Sequence, residues 1–375
     1  MGMRVILIVG VLGFCLQAHS TENLVKVGVA LRFVPEENSF AGSLFQGIEY
    51  AKLVFEKEHP ELKIELLKYP HKNGHVSVEE AAKKIKNDKV MYVIGGEMSD
   101  EAFTLAETFQ SQPILLMTPT ASNPLLTSGH PLVFRGCFSD DQVATQIEKY
   151  VETLSQFHSI GVIDHTSNAY SDFVTNAFLD ALSEHAQKNK IAITEFRYAN
   201  DHPDFKGAVD QFKKAHVDLV VAFILQDELK LFYQDATAAH LKPTYVGSDG
   251  WGTTDSLQKW IGEDFIGIRN SYWLENSHDQ NVISFKKGFS AKIGKNPDAW
   301  NAVAYDAAMT LFEAIGLTKN RSSPNDVAET LHSTTFKKGV TAHDLKFNRK
   351  NSISKPFYLY EIKKNEVKFV KEMKS

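Results

Sequence analysis

Ser99 and Ser122 place hydroxyl groups just past two short apolar runs, where a hydroxyl can help to hold an anion. The first run reads Tyr92-Val93-Ile94-Gly95-Gly96 and empties into Glu97-Met98-Ser99-Asp100. The second reads Pro113-Ile114-Leu115-Leu116-Met117-Thr118 and empties into Pro119-Thr120-Ala121-Ser122-Asn123-Pro124. In an open parallel sheet, ligands bind just beyond the carboxyl ends of adjacent strands. Hydroxyls and backbone N–H groups set there, with a helix starting behind them, suit a carboxylate. Either serine taken alone also fits a helix cap or a turn.

Two further strand ends carry polar chemistry. The run 160–164 empties into His165-Thr166-Ser167-Asn168-Ala169-Tyr170-Ser171, from which Tyr170 could close over a ligand or simply pack on its own helix. The run Tyr245-Val246-Gly247 empties into Ser248-Asp249-Gly250-Trp251-Gly252. An acid between small residues is well placed for a cation, because glycine lets the backbone approach; Asp249 equally fits an Asx turn. His71 and His75 have the spacing of a metal pair, but a Gly-containing loop with no nearby Cys or Asp favours a solvated loop. The chain has no G-x-G-x-x-G after its first strand, no phosphate-binding G-x-x-x-x-G-K-S/T loop, no H-E-x-x-H and no G-x-S-x-G elbow. A catalytic role has little support, and no cofactor or metal is called for.

The elements that must position these residues alternate in type. Strands are expected at 24–31, 62–69, 90–95 and 114–118, separated by helices at 42–59, 78–87 and 99–110. Strands spaced by helices of this length indicate βαβ units and a parallel sheet. The same grammar repeats, with helices at 140–154, 171–188, 205–215 and 229–239 between strands at 160–164, 191–196, 219–225 and 244–247. The chain therefore reads as α/β, with two doubly wound parallel-sheet lobes joined by several crossings. The last third differs, with helices at 301–317 and 324–331, then strands at 344–349, 356–362 and 367–372. Lys363-Lys364-Asn365-Glu366 is a hairpin turn by composition.

A length of 375 residues suits two domains. Hydrophobic residues at 43% and charged residues at 23% are ordinary globular values. A net charge of −5 gives no reason to expect nucleic acid or an anionic membrane as partner. Met1-Gly2-Met3-Arg4, the apolar run 5–16 and Gln17-Ala18-His19-Ser20 make an export signal, cleaved near Ser20 so that residues 1–20 are lost. Phe14 is bulky where a lipoprotein signal needs a small residue, which disfavours lipidation at Cys15. Cleavage leaves Cys137 alone, so no internal disulfide is expected. No second apolar run is long enough to span a bilayer.

With these residues in place, the chain resembles the type I periplasmic binding proteins of the branched-chain amino-acid (Leu/Ile/Val-binding) group of ABC transporters. The resemblance spans nearly the whole mature chain. It is most specific at Tyr92-Val93-Ile94-Gly95, at 114–124, and at Leu125-Leu126-Thr127 and Phe134-Arg135. Asp249-Gly250 and Pro356-Phe357-Tyr358-Leu359-Tyr360 agree in place and order. It implies one lobe from 21–139 plus 273–338 and a second from 140–272 plus 339–375, closing by a hinge. Ser99 and Ser122 would bind the α-carboxylate of a ligand, and the Thr120 carbonyl and the Asp249 carboxylate its α-ammonium. Tyr170 would close from the second lobe, with Ala121, Phe40 and Leu225 completing the ligand-binding set. Asp140 falls just after the first interlobe crossing.

The implied activity is capture of a small amino acid or related carboxylate by an exported, monomeric protein. It would deliver the ligand to an inner-membrane ABC permease; a module signalling to a membrane kinase or chemoreceptor is the alternative. The chain departs from the family in the turn 32–38, at Glu97 and Met98 beside the carboxylate site, and at Leu225, where a second-lobe aromatic is expected. Those departures leave the ligand's side chain open.

Overall fold

The computed structural model describes residues 23–33, 39–72, 74–200, 203–274 and 276–373. The export signal, its cleavage point, Cys15 and residues 34–38 of the departing turn lie outside the described residues.

The first sheet contains β1 (Leu24–Ala30), β2 (Lys63–Lys68), β3 (Tyr92–Gly95), β4 (Leu115–Thr118) and β5 (Val133–Arg135), in the order β2-β1-β3-β4-β5. Every pairing in it is parallel. Strands β3 and β4 are buried along their whole length, which is why they read as unbroken apolar runs instead of alternating ones. Helices α1 (Phe40–Glu58), α2 (His75–Asn87) and α3 (Ser99–Phe109) connect these strands. Ser39 caps α1 by accepting the Gly42 N–H at 3.0 Å, so the helix starts at Phe40, ahead of the expected position 42. Leu44, Ile48, Ala51 and Phe55 of α1 pack into the same core as Ala304, Ala308 and Phe312. On the other face, Ala82 and Ile85 join Ala102 and Leu105.

The second sheet contains β6 (Ser159–His165), β7 (Ala192–Tyr198), β8 (Leu219–Ala222), β9 (Thr244–Gly247), β10 (Gly267–Ser271), β11 (Phe357–Lys363) and β12 (Glu366–Met373). Its order is β12-β11-β10-β9-β8-β6-β7; β6 to β10 pair in parallel, while β11 and β12 add an antiparallel edge. Helices α4 (Asp140–Val151), α5 (Ala169–Asn189), α6 (Lys206–Lys214), α7 (Gln226–Ala238) and the short α8 (Thr254–Gln258) belong to this lobe. Alternate residues of the strands serve opposite faces. Ile160, Val162, Leu219 and Val221 meet Val174, Phe178 and Leu182, whereas Ile163, Val220 and Ala222 meet Phe212 and Phe232. The chain then builds α9 (Gln280–Ile293), α10 (Ala299–Leu317) and α11 (Pro324–Ser333).

The structure departs from the expected elements in two ways. The strand at 344–349 does not form; Leu345 and Phe347 make single bridges to Phe336 and Ile353 and are buried. Their alternation recorded burial, not a ladder, and the turn closed by Asn351 N–H to Asn348 at 3.0 Å ends it. Strand β5, the short helix α8, helix α9 and strand β10 were not anticipated. In β10 all five residues are buried, yet only Ile268 is a large apolar one, so no hydrophobic run announced it.

Among the described residues, three passages join the lobes, between β5 and α4, after β10, and ahead of β11. They meet in one aromatic stack. Phe138 lies 4.1 Å from Tyr272 at 21° and 5.4 Å from Phe357. Before the third passage, the Asp306 carboxylate on α10 accepts the N–H groups of Val340 and Thr341, each at 2.8 Å, and Lys355 approaches it at 3.8 Å.

Candidate functional site

On the first lobe the strand-end loops are stitched together by their own hydroxyls. After β3 the chain reverses at Gly96, whose φ of +68° and lack of a side chain are both required, since a Cβ would lie 2.7 Å from Ala102. Helix α3 then begins at Ser99. Met98 holds the cap position, and its N–H is met by Glu101 at 3.4 Å. The Ser99 hydroxyl is therefore not the helix cap; it faces the Asn123 N–H at 3.4 Å. The Thr118 hydroxyl donates to the Gly96 carbonyl at 2.8 Å and accepts the Ala121 N–H at 3.1 Å. The Thr120 hydroxyl donates to the Glu97 carbonyl at 2.8 Å. The Ser122 carbonyl accepts the Asp140 N–H at 3.0 Å, which fixes this loop to the first interlobe passage.

On the second lobe, Asn168 caps α5 by accepting the Ser171 N–H at 3.0 Å, which sets Tyr170 in the helix's first turn. The Tyr170 and Ser248 hydroxyls share a hydrogen bond. Gly250 makes room for that ring, because a Cβ there would approach the Tyr170 hydroxyl to 3.0 Å. The small residue beside Asp249 thus serves the tyrosine. Asp249 is held from β10, with its N–H donating to Asn270 Oδ1 and Asn270 Nδ2 donating to its Oδ1, both at 3.1 Å. The cap of the 3₁₀ turn Asp249–Trp251 is Ser248, not Asp249.

The lobes also touch at the rim. Asn123 Nδ2 donates to the Ala169 carbonyl at 2.8 Å, and the Asp100 carboxylate accepts the Ala169 N–H at 3.3 Å. Asn123 is a node: its carbonyl also accepts Arg135 Nη1 at 3.1 Å, while Arg135 Nη2 reaches Ser352 at 2.7 Å.

Electrostatics single out a residue to which sequence reasoning gave no role. Asp140 is fully buried, and neither carboxylate oxygen has a hydrogen-bond partner of good geometry. Burial pushes its carboxyl up to about 8, helped by the charge of Asp249 and opposed by the Ser122 hydroxyl and Arg135. Burial also raises Asp249, with Tyr272 and Asn270 drawing it back. Burial raises the Tyr170 hydroxyl as well, with Asp249 and Asp140 adding to the effect. Among the described residues, neither Asp140 nor Asp249 forms an ion pair.

The structure thus gathers Ser122, Tyr170 and Asp249 around Asp140, with Ser99, Thr120 and Ala121 in the adjoining loops. Phe40 stands further out, edge-on to Trp300 at 4.8 Å, and Trp300 in turn lies 6.0 Å from Tyr272. Leu225 is half-buried at the cap of α7. Its N–H donates to Glu228 at 2.8 Å, a carboxylate whose charge bears on Tyr170. His71 is buried and His75 exposed, and among the described residues they form no metal-holding group.

Two doubly wound lobes thus set their polar strand ends facing each other, with three passages between them. The chain belongs to the periplasmic binding protein family, whose profile matches residues 38–366. It is 24% identical to a leucine-, isoleucine-, valine-, threonine- and alanine-binding protein of Pseudomonas aeruginosa, over 75% of this chain and 74% of that one. It is 26% identical to the Leu/Ile/Val-binding protein of Escherichia coli K12 over 55% of each. A leucine-binding protein from Thermotoga maritima shares its fold with a TM-score of 0.83 at 20% identity, covering 93% of this chain and 99% of that one. A solute-binding protein from R. palustris in complex with 4-hydroxybenzoate also shares it, with a TM-score of 0.81 at 16% identity, over 94% and 97%. Among the described residues, no helix is long and apolar enough to cross a membrane.

Proposed function

We propose that this chain is an exported periplasmic receptor that captures a small amino acid by closing its lobes and delivers it to an ABC permease. The observation that carries this reading is the pair of carboxylates, Asp140 and Asp249, which lack an ion-pair partner and bear on Tyr170 beside the Ser122 loop. Two buried acids, of which Asp249 raises the pKa of Asp140, call for a cation, and an α-ammonium supplies one. The hydroxyls of Ser99 and Ser122, with the backbone of the Thr120–Ala121 turn, offer the complementary end to an α-carboxylate. Tyr170 covers the ligand from the second lobe, and Phe40 and Leu225 border it. The ligand stabilises the closed arrangement because it contacts both lobes at once. Relatives that bind leucine, isoleucine, valine, threonine and alanine support the amino-acid reading.

The test is calorimetry on Asp249→Ala and Ser122→Ala with the amino acid that binds the unaltered chain. Losing one partner of a buried charged hydrogen bond costs about 2–5 kcal/mol, and both variants should weaken binding while melting as cooperatively as the parent. Unchanged affinity in both would remove the site assignment.

A further inference from the structure

The sheet order leaves one direction for the ligand's side chain. The proposed carboxylate donors follow β3 and β4, and the β5 side is occupied by the buried Gly136, Cys137 and Asp140 of the first passage. The open neighbour of β3 is β1, followed by β2. On that side the strand ends are charged. Arg32, just past β1, donates its backbone N–H to Glu97 Oε2 at 3.2 Å and its Nε to Glu97 Oε1 at 2.5 Å. The same Nε lies 3.1 Å from Glu101 Oε1. The two carboxylates are almost wholly buried, while Arg32 stays partly exposed. Beyond β2, His71 is 5% exposed, and its Nε2 has no hydrogen-bond partner of good geometry. Its ring lies close enough to feel the charges of both Glu97 and Arg32, and burial lowers its affinity for a proton.

Here one guanidinium faces two carboxylates. Burial, helped by the charge of Glu97 and opposed by Arg32, pushes the Glu101 carboxyl up to about 8. Each carboxylate accepts up to about four hydrogen bonds, so the cluster suits an added N–H donor. An aliphatic side chain seated against it would strip water from buried acceptors and return nothing. We propose that the preferred ligand is an amino acid with a nitrogen donor at the end of its side chain, an amide, amine or guanidine, read by Glu97 and Glu101 beside Arg32 and His71. This rests on the amino-acid reading above and narrows its substrate class.

The experiment is isothermal titration of the mature chain with L-leucine, L-glutamine, L-ornithine and L-arginine, repeated on Glu97→Leu and Glu97→Gln. A site built around hydrogen bonds rejects an analogue that lacks them, so at least one nitrogen-tailed amino acid should bind about tenfold or more tightly than leucine. Glu97→Leu should erase that preference. Glu97→Gln, which keeps an oxygen for Arg32, should fold normally and weaken ornithine and arginine more than glutamine. Leucine binding as tightly as the others, or a preference unmoved in both variants, would overturn the inference and leave the amino-acid reading standing. Failure of all four probes to bind would overturn the inference, and a screen of the remaining L-amino acids with none bound would overturn the amino-acid reading as well.

Discussion

At the scale of single residues, the balance of charge in the cleft rests on Asp140. Burial pushes its carboxyl up to about 8 even with the Arg135 charge opposing, so below that pH it carries a proton that an arriving ammonium must displace. Ligand uptake should therefore release protons, and affinity should rise as pH increases toward 8. Asp140→Asn keeps the shape and removes the charge; it should weaken amino-acid binding by about 2–5 kcal/mol and flatten that pH dependence, which titrations at several pH values would reveal. Ser99, Ser122, Tyr170 and Asp249 were legible in the sequence because each is a polar residue closing an apolar run. Asp140 was not. With Ser139 before it and Gln142 after it, it reads as the acidic first turn of a capped helix, and that cap is indeed present. Only the convergence of the chain passages shows that its carboxylate is buried.

At the scale of elements, the turn from β3 into α3 decides whether the first-lobe wall forms. Gly96→Ala places a side chain at positive φ and against Ala102. It should destabilise the fold by about 1–3 kcal/mol, seen as a lower urea midpoint, and weaken ligand binding as Ser99 shifts. The buried parallel strands and amphipathic helices were readable because periodicity and burial agreed there. Strand β10 was unreadable for the opposite reason: Arg269, Asn270 and Ser271 are buried polar residues, and Asn270 is there to hold Asp249. The segment 344–349 misled because alternating Leu345 and Phe347 feed a core from a loop. Sequence patterns report burial more directly than they report ladders.

At the scale of the whole molecule, the two lobes are governed by the stack in which the three passages meet. Phe138, Tyr272 and Phe357 come from separate parts of the chain, and no local pattern could have joined them. Phe138→Ala should cost about 3–5 kcal/mol of stability, with both lobes keeping their secondary structure by circular dichroism while the lobe angle becomes less defined in small-angle scattering. The two-lobed architecture itself followed from the repeated strand–helix alternation. What alternation could not give was the closeness of the lobes at Asn123, Asp100 and Ala169, which depends on how the passages set the hinge.

The central claim is that the cleft binds an amino acid through a carboxylate end and an ammonium end. Its most direct test is the thermal midpoint of the unaltered chain with L-amino acids, set against the same carboxylates lacking the amino group and against 4-hydroxybenzoate. At a hundred times its dissociation constant a ligand adds about 2.7 kcal/mol of stability, a shift easily measured. At least one amino acid should raise the midpoint, and its des-amino counterpart should leave it unchanged. A midpoint raised by des-amino or aromatic carboxylates, and by no amino acid, would contradict the account.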